Sequence, residues 1–181
     1  HNLPMTLTGA GLLWFGWFGF NAGSALASNG LAANAFVVTH LASAAAAVSW
    51  VIFEWIHRGK PTTLGVASGA VAGLVAITPA SGFVGPMSSI IIGFMGGALC
   101  YGGVLMKARL GYDDALDVVG IHGVGGTWGA LATGLFACTE INSAGANGLF
   151  FGNAAQLWIQ FVSVAATMVF AFVMTYIILK F

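Results

Sequence analysis

The side chains able to do chemistry in this chain are few, and each stands in apolar surroundings. His122 lies near the start of a glycine-dense run, Gly120-Ile121-His122-Gly123-Val124-Gly125-Gly126-Thr127-Trp128-Gly129-Ala130-Leu131-Ala132-Thr133-Gly134. An imidazole titrates near neutrality and both donates and accepts hydrogen bonds. Inside a membrane helix such a group is costly, which points to a proton path, an ion path or a ligand site. The other reading is a packing helix whose histidine bonds a neighbour. Gly125, Gly126 and Gly129 follow His122 at spacings of three, four and seven, which on a regular helix puts them on its face. A histidine projecting from such a bare surface suits a narrow passage, and a hydrogen-bonded histidine at a helix crossing would give the same pattern.

A second constellation is Trp14-Phe15-Gly16-Trp17-Phe18-Gly19-Phe20-Asn21-Ala22-Gly23-Ser24, in which Trp17, Phe20 and Ser24 share one helical stripe. A cation could meet a hydroxyl oxygen and aromatic faces there, the latter worth roughly 0.5–2 kcal/mol. An interfacial aromatic belt with a polar helix end reads the same way. A third is Asp113-Asp114-Ala115-Leu116-Asp117. Asp114 suits a helix N-cap and Asp117 its first turn, where carboxylates satisfy orphan amides and the helix dipole, a reading preferred over ion coordination. His40 also falls within an apolar segment, and paired histidines on separate helices can ligate a haem, which makes a membrane electron carrier a remote rival. Against it, His40 and His122 belong to opposite halves of the membrane, and the glycine-rich segments leave little room for a macrocycle. Cys100 and Cys138 match no metal spacing and read as small packing residues. No serine elbow, metal cluster or phosphate loop argues for an enzyme.

The elements that must hold these groups belong in lipid. Of 181 residues 59% are hydrophobic and 6% charged, against about 25% charged in soluble domains; the mean hydropathy is +0.94. Six apolar segments approach or exceed the roughly 20 residues needed to cross a bilayer, at about 6–26, 32–57, 62–80, 86–107, 114–138 and 153–180. Their long continuous runs predict an all-α membrane protein of six transmembrane helices in a single domain, 1–181, since a barrel would show short alternating segments.

Charge orients the bundle. If the segments alternate in direction, Arg58, Lys60, Lys107, Arg109 and Lys180 all fall on one side, which the positive-inside rule makes cytoplasmic. Both ends of the chain then lie in the cytoplasm, while Ser24 and the loop around Glu140 face outward. Net charge is zero and the five basic residues form no run, so nucleic acid is excluded as a partner. Glycines recurring at Gly65, Gly69 and Gly73, and again from Gly93 to Gly103, predict close helix crossings.

The ordered motifs resemble the ammonium transporter family, its Amt branch in particular: His1-Asn2-Leu3-Pro4, then Gly16 through Ser24, then Arg58-Gly59-Lys60-Pro61, then Gly69-Ala70-Val71-Ala72-Gly73 with Thr78-Pro79-Ala80, and finally Asp114 through Asp117 to His122-Gly123-Val124-Gly125-Gly126. The resemblance implies an eleven-helix fold whose first ten helices form two inverted halves, a general transporter plan. These six segments correspond to helices six to eleven. It implies His122 as one of two central pore histidines, Phe20 as one of the stacked phenylalanines closing the pore from outside, and Ser24 as part of an outer recruitment site. Trp17 and Val118 match pore-lining positions, and Asp114 and Asp117 match acidic residues near the inner mouth. Ammonium, ammonia and methylammonium are the implied substrates, a homotrimer in the cell (inner or plasma) membrane the implied assembly, and a cytoplasmic PII-type signal protein an implied partner. No cofactor or metal is implied. A non-conducting ammonium sensor would share the fold. The partner histidine and second phenylalanine would belong to the other half, and His40 matches no family role.

Overall fold

The computed structural model describes residues 2–181, so His1 of the first motif lies outside the described residues. These residues form six α-helices and no strand. The helices are α1 (Leu3–Gly23), α2 (Gly30–Arg58), α3 (Thr63–Ile77), α4 (Pro86–Leu110), α5 (Val124–Phe136) and α6 (Ala154–Lys180). A π-helical turn, Val119–Gly123, runs directly into α5, and a 3₁₀ turn, Leu149–Phe151, precedes α6.

Local chemistry sets the boundaries. The Asn2 side chain accepts a hydrogen bond from Met5 N–H at 3.0 Å and Pro4 sits in the first turn, so α1 begins earlier than the hydropathy pattern suggests. Asn29 caps α2 through Ala32 N–H at 3.0 Å, and Thr62 caps α3 through Gly65 N–H at 2.9 Å. The left-handed conformation at Gly59 (φ 75°) ends α2, as a glycine without Cβ strain allows. The fifth segment departs furthest from expectation: residues 114–117 are not helical, and the helical backbone runs only from Val118 to Phe136. Three helices, α2, α4 and α6, are both long and apolar enough to cross a membrane, while α3 is a shorter apolar helix of 15 residues.

The core is the mutual packing of α2, α3 and α4, joined by α5 along one side through Val38, Ala42, Ala76, Ile77, Ile92 and Ala132. Small residues permit the crossings. A Cβ on Gly69 would stand 2.6 Å from Trp50 Cβ and 2.9 Å from Ala47 Cα, closer than any real contact. Hydroxyls buried in these crossings are satisfied across them: Ser43 Oγ donates to Ala70 O at 3.0 Å and Ser49 Oγ to Phe94 O at 2.6 Å. The buried Glu54 carboxylate accepts from both Thr62 N–H at 3.0 Å and Thr62 Oγ1 at 2.9 Å, clamping the tight α2–α3 turn.

Contacts at the two ends give the alternation of directions. The end of α1, the start of α2, the turn after α3 and the loop after α5 converge around one cavity lined by Ser24, Leu31, Gly82 and Asn142. At the opposite end His57 of α2 meets Tyr101 of α4, and Lys107 of α4 meets Asp117 before the π turn. The start of α6 packs on the end of α5, where a Cβ on Gly134 would meet Leu157 Cα at 2.8 Å. Arg58, Lys107, Arg109 and Lys180 therefore all sit at helix ends remote from the Ser24 cavity. Beyond α5 and the 3₁₀ turn, α6 touches no other element, and none of its residues is buried.

Candidate functional site

At the Ser24 end, α1 closes on the turn after α3 around a cavity of about 310 Å³. Trp17 and Phe20 stand edge to face, their centroids 5.9 Å apart. Trp17 Nε1 donates to Thr78 Oγ1 at 2.7 Å, and Thr78 Oγ1 donates in turn to Leu74 O at 2.7 Å. The indole is thereby fixed against α3. Asn21 is buried and its Nδ2 donates to Thr39 Oγ1 at 2.9 Å, locking the same stretch of α1 to α2. Ser24 Oγ donates to Phe20 O at 2.6 Å. With its proton engaged by its own helix, the Ser24 hydroxyl turns lone pairs toward the cavity. That suits a ligand carrying only N–H donors. Phe20 is 61% exposed, so the ring that the resemblance assigns to a gate is open on one side here.

His122 occupies the π turn. Val124 N–H reaches back to Val119 O, the five-residue step that defines the turn, and shares a second bond with Ile121 O. Gly120 and Ile121 are buried while His122 is exposed. The ring lies along a groove of about 330 Å³ between α5 and α6 that includes Gly126, Thr127, Ala130, Ser163 and Thr167. None of the hydrogen bonds among the described residues involves its ring, whereas His57 Nδ1 pairs with Tyr101 Oη at 2.8 Å. His57 fits the description of a packing histidine, and His122 does not.

The expected common face of His122, Gly125, Gly126 and Gly129 is half right. Gly126 shares the His122 groove. Gly125 and Gly129 turn the other way: a Cβ on Gly125 would lie 3.0 Å from Cys100 Sγ, and one on Gly129 would lie 3.0 Å from Pro79 Cδ. Adjacent residues stand about 100° apart around a helix, so Gly125 can pack inward while Gly126 lines the groove. The two faces thus divide the two readings, with Gly125 and Gly129 packing on α3 and α4 and His122 left open.

At the inner end the acidic residues do separate jobs. Both oxygens of Asp114 cap the π turn, accepting from Val118 N–H and Val119 N–H at 2.8 Å each. Asp117 does not stand in a first helical turn as its position suggests. It precedes the helix in the left-handed region (φ 56°), a conformation aspartate tolerates better than most residues. Its carboxylate forms an ion pair with Lys107, whose Nζ also donates to Asp114 O at 2.8 Å. Val118, 48% exposed, follows on the way to His122.

His40 lies exposed on α2, its ring against Trp14 at 5.3 Å and Phe18 at 6.1 Å between centroids. Between α2 and the π turn the core is filled by Ala72, Val75, Cys100 and Tyr101, leaving no shared chamber in which His40 and His122 could face one haem. Among the described residues no cluster of metal-ligating side chains is present, and both cysteines are free. Sequence reasoning missed Thr78, Asn21 and Lys107. Thr78 lies in a recognised motif, yet only the fold places its hydroxyl under Trp17.

The model of the Ammonium Transporter Family matches residues 1–181. An ammonium transporter of Bacillus subtilis is 59% identical over 99% of this chain, which covers 45% of that protein. The crystal structure of Saccharomyces cerevisiae Mep2 superposes with a TM-score of 0.95 at 37% identity, over 99% of this chain and 43% of its own. A structure described as a Sensor Amt Protein superposes with a TM-score of 0.81 at 35% identity, over 92% of this chain and 40% of its own. The chain spans less than half the length of the relatives it matches.

Proposed function

Because the chain belongs to the ammonium transporter family, we propose that it supplies one half of a pore that carries ammonium, ammonia and methylammonium across the cell membrane, with both of its ends in the cytoplasm. The observation that carries this reading is His122, exposed from a π turn without a hydrogen-bond partner on a helix otherwise packed by glycine. The exposed side chains of Phe20, Val118 and His122 would be covered by the portion that the relatives have beyond these residues. That portion would also bring the second central histidine and the second gate phenylalanine.

In this mechanism an ammonium ion is recruited into the Ser24 cavity, donating to the lone pairs of Ser24 while the Trp17 and Phe20 rings compensate its charge. It releases a proton at or before Phe20, because an unpaired ion in apolar surroundings is far costlier than neutral ammonia. Ammonia then passes to His122. A neutral imidazole offers one donor and one acceptor, and ammonia can answer both. The released proton travels separately, with the His122 ring as relay. Val118 continues the apolar path inward, and Asp114 and Asp117 shape the inner mouth as structural groups. By the same family resemblance the intact protein is a homotrimer, with a PII-type signal protein as its cytoplasmic partner.

Replacing His122 by alanine in the intact transporter is expected to abolish methylammonium uptake, and wild-type uptake by that variant would overturn the assignment. The likeness to a Sensor Amt Protein favours a second reading, in which the same fold binds ammonium and signals without conducting. Ammonium-evoked current in proteoliposomes separates the two: transport requires it, and saturable binding without current identifies the sensor.

A further inference from the structure

We infer that Cys100 is a positioning residue for His122, an inference that rests on reading His122 as part of the substrate path. Cys100 is fully buried on α4, directly behind the π turn. Its thiol donates to the carbonyl of Ile121, the residue immediately before His122, at 3.5 Å, an ordinary length for sulfur. The same Sγ would stand 3.0 Å from a Cβ on Gly125, so the thiol is wedged between the turn and the first residues of α5.

One turn further along α4, Gly103 lets the same turn seat closely: a Cβ on Gly103 would meet Gly120 O at 3.1 Å and Gly120 Cα at 3.2 Å. Helix α4 therefore touches the backbone on both sides of His122, while the imidazole itself points away from α4 into the groove shared with α6. Within the π turn Ile121 O also receives part of a shared bond from Val124 N–H, so the thiol is a second donor to it, brought from another helix. An outside donor at Ile121 O fixes how far the turn opens, and with it the direction of the next side chain. The residue type fits this duty. A thiol is a small, largely apolar group with a weak donor, and it is buried here within reach of that carbonyl.

The test uses the intact transporter in lipid. Cys100→Ala, which removes the donor, is expected to lower maximal methylammonium uptake about tenfold, less than the hundredfold that an ångström-scale misplacement can cost. It should also move the His122 ring resonances in nitrogen-15 spectra, which are assigned by their loss in His122→Ala. Cys100→Ser, which keeps a donor, should restore most of both. Wild-type uptake with unmoved resonances in Cys100→Ala overturns the inference.

A measurement on the unaltered protein covers the case in which Cys100→Ala fails to fold. The S–H stretching band lost in Cys100→Ser should lie at a hydrogen-bonded frequency, and a free-thiol frequency overturns the inference whatever the variants do. Wild-type uptake by His122→Ala would sink the pathway reading instead, leaving the thiol contact to be judged by the band alone.

Discussion

Replacing Asp114 by alanine removes both oxygens that cap the π turn, and with them two hydrogen bonds of 2.8 Å to Val118 N–H and Val119 N–H. Loss of a helix N-cap costs about 0.5–2 kcal/mol, and hydrogen bonds to charged groups are worth about 1.5–3 kcal/mol when sheltered. These two bonds are exposed, so the lower scale governs and about 1–2 kcal/mol is expected. That is roughly a five- to thirty-fold rise in the population of molecules with an open first turn. Amide hydrogen exchange at residues 118–123 of the intact transporter should accelerate by about that factor, with uptake falling because His122 sits inside the loosened turn. Asp114→Asn is the deciding companion. It keeps one acceptor oxygen while removing the charge, so capping predicts intermediate exchange and substantial uptake. An ion-coordinating role predicts near-native exchange with uptake lost as completely as in the alanine variant. Unchanged exchange in Asp114→Ala would refute the capping argument.

Trp17→Phe keeps an aromatic face but removes the donor to Thr78 Oγ1 at 2.7 Å; a loss of about 1 kcal/mol and a several-fold fall in uptake are expected, read by thermal unfolding and methylammonium flux. Gly69→Ala must force Trp50 and Ala47 aside, so a destabilisation of about 1–3 kcal/mol is expected. Gly102→Ala, whose added methyl meets nothing within 4 Å, should be neutral or stabilising by about 0.5–1 kcal/mol, and equal melting temperatures for the two glycine variants would contradict the close-approach account.

What could be read in the sequence was whatever depends on composition and on spacing along a regular helix. The six apolar segments and the basic residues at Arg58, Lys107, Arg109 and Lys180 emerge from length and charge alone, and the structure places those residues at helix ends remote from Ser24. The spacing of Gly65, Gly69 and Gly73 likewise survives, because α3 is a regular helix. Illegibility begins where the backbone stops being regular. A π turn has no period to detect, and the spacing puts His122 on one face with Gly125 and Gly129, whereas those glycines pack inward and the ring is left open. Spacing likewise puts Asp117 in a first helical turn, and its left-handed backbone has no signature in the sequence. Partners distant in sequence were also out of reach: Thr78 lies 61 residues from Trp17, and only the packing of α1 on α3 brings them together.

The exposed surface can be sorted by what could cover it. On α6 the exposed residues include Phe161, Val169, Phe172 and Ile178, side chains that hydrocarbon solvates as well as protein does, so this helix needs no partner within the membrane. Exposed apolar residues on α1, such as Leu12 and Phe15, are equally indifferent. An imidazole is not, since its ring nitrogens require hydrogen bonds that lipid cannot supply. Of the outward-facing residues along the π turn and α5, His122 is the one that demands protein, water or substrate beside it. Phe20 and Val118, neutral by themselves, are drawn into a path only by their relation to that ring and to the acceptor oxygen of Ser24. On the proposed reading, it is the chemistry of His122, rather than the amount of exposed surface, that argues for a path along this side of α5.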